Sequence, residues 1–134
     1  MGPRVVFDTN VIISAYVFGG APARLMRAAI TGDIELVASP TLLAELARVL
    51  ADKFAFDGEH VDATVRQISR VADVVRPEHR LTVVAHEADN RVLECAVEGG
   101  CETVVSGDRH LLGVGSYEGI RILTVAQAVA ELTD

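Results

Sequence analysis

The stretch Arg4-Val5-Val6-Phe7-Asp8-Thr9-Asn10 runs through a short apolar segment with no helical period and then stops at a carboxylate. A run bounded in this way reads as a buried strand that delivers Asp8 to the edge of a sheet. Glu102-Thr103-Val104-Val105-Ser106-Gly107-Asp108 repeats the same grammar. Two strands that each end in an aspartate point to a shared acidic site.

Between and beyond these strands the order of elements is legible. Helical segments are expected at Val11–Val17 and Ala23–Thr31, separated by Gly19-Gly20, with Pro22 suited to a first helical position. Ile34–Ala38 reads as the second strand, and Ser39-Pro40 as an N-cap followed by proline, opening a helix that runs to Leu50 or Lys53. Gly58–Val71 reads as another helix, and Ala72–Arg76 as a third strand closed by Pro77. A helix over Asp89 to Glu98 should end at Gly99-Gly100, before the fourth strand at Thr103–Ser106. A loop containing Gly113, Gly115 and Gly119 then leads to a fifth strand at Ile120–Leu123 and a last helix at Val125–Leu132. Strands alternating with helices imply parallel pairing. The expected fold is a three-layer α/β/α sandwich around a mostly parallel five-stranded sheet, with residues 1–134 as a single domain.

Such a topology has a functional consequence. In open parallel sheets ligands sit outside the carboxyl ends of the strands, near the reversal of strand order. Asp8 and Asp108 both lie just past such ends, so they should share one edge.

Composition narrows the field. Half of the 134 residues are hydrophobic, which argues against disorder. The longest apolar runs fall well short of the ~20 residues that span a bilayer, and the first residues lack the apolar core of a signal peptide. The two cysteines, Cys95 and Cys101, make no disulfide framework and match no common zinc spacing. A cytoplasmic protein with two reduced thiols is the expectation. The net charge of −7 argues against gripping duplex nucleic acid by bulk electrostatics, yet allows an acidic cluster that bound cations neutralise. Lys53 is the only lysine; among the arginines, Arg24, Arg27, Arg48, Arg91 and Arg109 are candidates for substrate approach, most of them also readable as solvated surface.

Each acid has a bland reading beside the functional one. Asp8 could simply cap the helix that follows, with Thr9 sharing the task. Asn10 adds a neutral amide able to bond a carboxylate or a phosphate oxygen. Glu45 falls at the flank of the apolar stripe made by Leu42, Leu43, Leu46, Val49 and Leu50, where it is either a solvated border residue or an acid leaning over the cleft. Asp89 precedes the apolar face Val92, Leu93, Ala96 and Val97; it could be an N-cap or a first-turn carboxylate favoured by the helix dipole, and Asn90 offers an alternative cap. Asp108 could turn a Gly-Asp corner or cap a short helix at Arg109–Leu112, and Ser106 adds a hydroxyl at the same strand end. Jointly the four acids mean more, because clustered carboxylates repel and are hard to keep ionised without a cation. Oxygen donors select Mg²⁺ or Mn²⁺, and His60, His79, His86 and His110 are scattered enough to read as surface or loop residues.

The ordered blocks Val6-Phe7-Asp8-Thr9-Asn10-Val11-Ile12, Ser39-Pro40 with Leu43 and Glu45, Asp89-Asn90-Arg91-Val92-Leu93-Glu94-Cys95-Ala96, and Val105-Ser106-Gly107-Asp108-Arg109-His110-Leu111-Leu112 resemble the PIN-domain nucleases. The likeness is to the VapC-like toxins of toxin–antitoxin pairs in particular, and it covers nearly the whole chain. It implies a PIN-like fold, a metal-dependent endoribonuclease, a small antitoxin partner and homodimerisation. By motif position Asp8, Glu45, Asp89 and Asp108 are similar to the family's acidic quartet, and Asn10 and Ser106 to its polar supporting positions. One block departs: His86-Glu87-Ala88-Asp89 stands where the closest branch begins with Asp-Pro. That departure bears on the strength of metal binding at this corner or on a second metal position, with Glu87 a candidate substitute that its placement directs to solvent.

The implied chemistry needs no side-chain nucleophile: one or two Mg²⁺ or Mn²⁺ ions held by Asp8, Asp89, Asp108 and Glu45 activate water and neutralise the phosphate. Rival readings remain open. A phosphotransfer enzyme with a nucleophilic aspartate fits poorly, because Asn10 stands where a second aspartate belongs and no lysine lies late in the sheet. A PIN-like binding or scaffold module and a housekeeping RNA-processing nuclease complete the set of rivals.

Overall fold

The computed structural model describes residues 2–133. Among these residues six strands form one sheet: β1 (Arg4–Phe7), β2 (Glu35–Ala38), β3 (Asp73–Val74), β4 (Thr103–Val105), β5 (Ser116–Tyr117) and β6 (Ile120–Leu123). Their order is β3-β2-β1-β4-β6-β5, and every pairing is parallel except β5 with β6. The sheet is thus mostly parallel, with one strand more than the sequence suggests. The addition is a hairpin. Glu118 and Gly119 take φ of 48° and 84°, the double left-handed turn that matches the twist of a two-residue hairpin, and they fold Ser116-Tyr117 back on Ile120-Arg121. In the sequence the glycines of this region read only as loop.

Alternation along β1 sorts the core into two layers. Val5 and Phe7 pack with α1 (Thr9–Val17), α2 (Gly20–Thr31), α3 (Pro40–Phe54), α4 (Gly58–Val71) and α7 (Val125–Leu132) on one face. Val6 faces the other way, against α5 (Glu87–Glu98) and α6 (Arg109–Val114). All three side chains are at most 2% exposed, which explains why the strand reads as an unbroken apolar run.

The helices start where local chemistry allows. Ser39 Oγ accepts from the Leu42 amide at 3.2 Å, with Pro40 directly behind it, so α3 begins where expected. Thr124 and Gln127 close a reciprocal capping box at the start of α7. Pro22 lies in the third position of α2 rather than the first, still within the turn whose amides have no helical acceptor.

The segment from residue 75 to residue 86 contains no strand or helix. It is held instead by a polar stripe on α5. Glu98 Oε1 accepts from the Glu78 amide at 3.0 Å and Glu94 Oε2 from the Leu81 amide at 2.8 Å. The fully buried Asn90 accepts from the amides of Val83 and Val84 and donates to the Val84 carbonyl. These contacts recur every four residues along one helix face. Asn90 therefore ties down a loop rather than capping the helix, and Val97, expected on the apolar face, is 38% exposed.

Candidate metal-binding site

Strand order reverses between β1 and β4, and both strands hand the chain directly to a candidate acid. The parallel register pairs Phe7 with Val105, and the Asp8 amide donates to the Val105 carbonyl at 2.9 Å. This ladder carries Asp8 and Asp108 to the same edge.

Asp8 is 7% exposed and engages both carboxylate oxygens. Oδ2 accepts from Ser106 Oγ at 2.7 Å, and Oδ1 from the Asn10 amide at 3.4 Å. It is thus the N-cap of α1 while still part of the acidic cluster; capping and clustering are compatible because a carboxylate has two oxygens. Burial pushes the Asp8 carboxyl above its ordinary value, the hydrogen bond from Ser106 pulls the other way, and the Asp108 charge adds to the rise.

Ser106 is fully buried, and its single oxygen links two acids. It donates to Asp8 and accepts from the Asp108 amide at 2.9 Å. Asp108 caps α6 by accepting from the His110 amide at 2.7 Å. Burial alone would raise its pKa, but bonds from the His110 and Leu111 amides outweigh that and hold Asp108 below the usual carboxylate range. The acid at the end of β4 is therefore the readily ionised member of the group.

Asp89 lies in the first turn of α5, three positions past the N-cap residue His86, whose ring makes no capping bond. It is 4% exposed; burial raises its pKa, the bond from His86 opposes the rise, and the Asp108 and Asp8 charges reinforce it. His86 Nδ1 stands 3.1 Å from Asp89 Oδ2. The imidazole is raised in turn, first by that bond and the Asp89 charge, with further pull from Asp108 and Glu45. His86 is an exposed loop residue, as the sequence suggests, yet its ring bonds one of the acids. Glu87 turns away from the site, bonding Asn90 and pairing with Arg80 and Arg91.

Glu45 projects from the second turn of α3 and accepts from Thr9 Oγ1 at 3.2 Å. Thr9 is the polar residue whose role the sequence conceals: by position it reads only as a cap, yet its hydroxyl ties α1 to α3 across the cleft. Asn10 is exposed, and its contribution here is its backbone amide. Arg91, a candidate for substrate approach, is instead committed to ion pairs with Glu94 at 2.8 Å and Glu87 at 3.4 Å.

One group among the described residues has the spacing of a metal site. One donor atom each from His86, Asp89 and Asp108 lies within 4.8 Å of the other two. Two carboxylates and an imidazole suit a divalent cation; Asp8 is close enough to feel the Asp108 charge and to raise Asp89, and burial of Asp8 and Asp89 supplies the reason one would bind. Cys95 and Cys101 are buried away from this set, and burial pushes both thiols up to about 12, which makes them poor ligands.

A family model described as PIN domain matches residues 4–110. Among solved structures, the chain is similar to one from VapBC2 of Rickettsia felis bound to a DNA fragment from their promoter, with a TM-score of 0.65 and 12% identity over 90% of this chain and 98% of that one. It is also similar to a chain of FitAcB from Neisseria gonorrhoeae, with a TM-score of 0.55 and 15% identity over 91% of this chain and 98% of that one. No curated protein matches the sequence.

Proposed function

Because the chain belongs to the PIN-domain family, we propose that it is a metal-dependent endoribonuclease that hydrolyses RNA phosphodiester bonds, and that it acts as the toxin of a toxin–antitoxin pair. The observation that carries the reading is the convergence of His86, Asp89 and Asp108 donor atoms within 4.8 Å at the β1/β4 switch point, beside Asp8. Asp8, Asp89 and Asp108 would hold Mg²⁺ or Mn²⁺, with Glu45 completing the cluster. A bound ion of this kind supplies an activated water and neutralises charge on the phosphate.

The chain's own residues provide the rest. Ser106 fixes the Asp8 carboxylate and orients the turn into Asp108 through one hydroxyl. Thr9 aims Glu45 over the same cleft. Asp108, held ionised by backbone donors, anchors the charge, and a bound cation would offset the desolvation cost that burial imposes on ionised Asp8 and Asp89.

The toxin reading, with residues 1–134 as one nuclease domain in the cytoplasm, adds a small antitoxin partner and a homodimer. It draws support from the resemblance to the VapBC2 and FitAcB structures, which is an argument from fold. The test is Mn²⁺- or Mg²⁺-stimulated cleavage of RNA by the purified protein. Cleavage should vanish in Asp8→Asn and Asp108→Asn, both of which keep a capping side chain; undiminished cleavage by folded Asp8→Asn protein would sink the proposal. Growth arrest on expression, lost with Asp108→Asn and relieved by a co-encoded small protein, separates a toxin from a housekeeping nuclease.

A further inference from the structure

We propose that His86 is itself a ligand of the catalytic cation, so that this protein binds its metal through a mixed nitrogen and oxygen set and prefers Mn²⁺ to Mg²⁺. The inference rests on the metal-dependent reading of the site and specifies its chemistry.

Three independent features of the structure support it. The first is the bite distance. Two ligands at roughly 2.1 Å from an octahedral ion and at right angles to each other lie about 3 Å apart, and His86 Nδ1 and Asp89 Oδ2 are 3.1 Å apart. An ion can take the place of the shared proton with little movement of either side chain. The second is that the ring is not spent on capping the helix. His86 is the N-cap residue of α5, but its side chain makes no cap bond and is 57% exposed. The third is that the backbone is held from both directions. Asn90 anchors Val83 and Val84 just upstream, and the Asp89 amide donates to the His86 carbonyl at 3.1 Å. A merely solvated surface histidine needs no such placement.

The chemistry follows from the donor. Imidazole is a softer ligand than a carboxylate and suits transition ions, whereas Mg²⁺ favours an all-oxygen environment and keeps its water. A histidine in place of a carboxylate also removes one negative charge, which weakens a hard ion more than one that gains covalency with nitrogen. His110 is the internal control: its ring lies 6.2 Å from that of His86, outside the convergent group.

The experiment is pulsed EPR on the purified full-length protein loaded with Mn²⁺ alone, together with calorimetric titration of Mn²⁺ and of Mg²⁺. Wild-type protein should show the ¹⁴N coupling of a directly bound imidazole. The coupling should disappear in His86→Ala and in His86→Asp and persist in His110→Ala. The ratio of Mn²⁺ to Mg²⁺ affinity should fall about tenfold or more in His86→Asp, within the range expected for altering a site's donor shell. Mn²⁺ bound without ¹⁴N coupling, or coupling that survives in His86→Ala, overturns the inference and leaves the nuclease reading standing. Failure of wild-type protein to bind either ion overturns both. His86 is exposed and its ring makes no cap bond, so circular dichroism should show each variant folded, and a lost signal then reports the ligand and not the fold.

Discussion

The two halves of the acidic site are built by different means. At the β1/β4 centre, Asp8 and Asp108 stand at the ends of buried, hydrogen-bonded parallel strands and are joined through a fully buried serine. At the α5 corner, Asp89 and His86 are positioned by a helix start and by a loop without secondary structure, tied down by Asn90, Arg91, Glu94 and Glu98. The ladder makes the centre rigid through backbone bonds that almost any side chain would permit. The corner depends on the identity of four side chains. A site of this design can alter its ligand chemistry at the corner while the centre stays fixed, and His86 lies at the corner.

The largest expected effect breaks the centre. Asp8→Asn should reduce metal-stimulated RNA cleavage by more than about 100-fold, beyond the 10–100-fold range of residues that only support a ligand. Circular dichroism should show the fold unchanged, since asparagine caps helices as well as aspartate does. Ser106→Ala comes next. It strips Asp8 Oδ2 of its hydroxyl donor and leaves the Asp108 amide without its Ser106 acceptor, so activity or metal affinity should fall about 10–100-fold. Denaturant unfolding should register a loss of about 1–3 kcal/mol from the unpaired amide.

A third variant breaks the corner alone. Asn90→Ala removes the acceptor of two loop amides and should cost about 1–3 kcal/mol. Hydrogen exchange should accelerate at Val83 and Val84 while the β1 and β4 amides keep their protection. Uniform loss of protection across both regions would show that centre and corner are one cooperative unit rather than two separately held parts.

The smallest effect sharpens the comparison through pH. The Asp8 carboxyl is raised in the folded state, so the folded protein binds more protons than the unfolded chain between the ordinary and the raised value. Stability contributed by this group therefore declines as pH rises through that window. In metal-free protein at neutral pH, Asp8→Asn should unfold a few degrees above wild type. That advantage should shrink as pH falls toward the ordinary carboxylate range of about 4. An advantage that grows on acidification would reverse the sign assigned to Asp8.

Much of this is legible in the sequence because it is local. An unbroken apolar run ending in Asp8, repeated before Asp108, fixes two buried strands; Ser39-Pro40 marks the start of α3, and alternating strands and helices dictate parallel pairing. From those alone the shared edge of Asp8 and Asp108 follows. The β5–β6 hairpin is not legible as a sixth strand because two residues are too few to show alternation, and Glu118 reveals its left-handed φ only once the turn is formed. The polar stripe of α5 is hidden for another reason: Asn90 and Glu94 are buried, and a helix wheel assigns buried positions to apolar residues.

Residues 4–10 and 102–108, set within the alternation of strands and helices along the chain, thus indicate the architecture and the edge at which chemistry would occur, since strand burial and parallel connection are consequences of hydrophobic pattern and chain handedness. Which groups meet there is a matter of three-dimensional distance. His86 Nδ1 at 3.1 Å from Asp89, Thr9 reaching Glu45 across 36 residues, and Ser106 reaching Asp8 across 98 are set by packing of elements far apart in the chain. No periodicity encodes such contacts, because each depends on how a neighbouring element, itself held by other residues, brings the partner within bonding range.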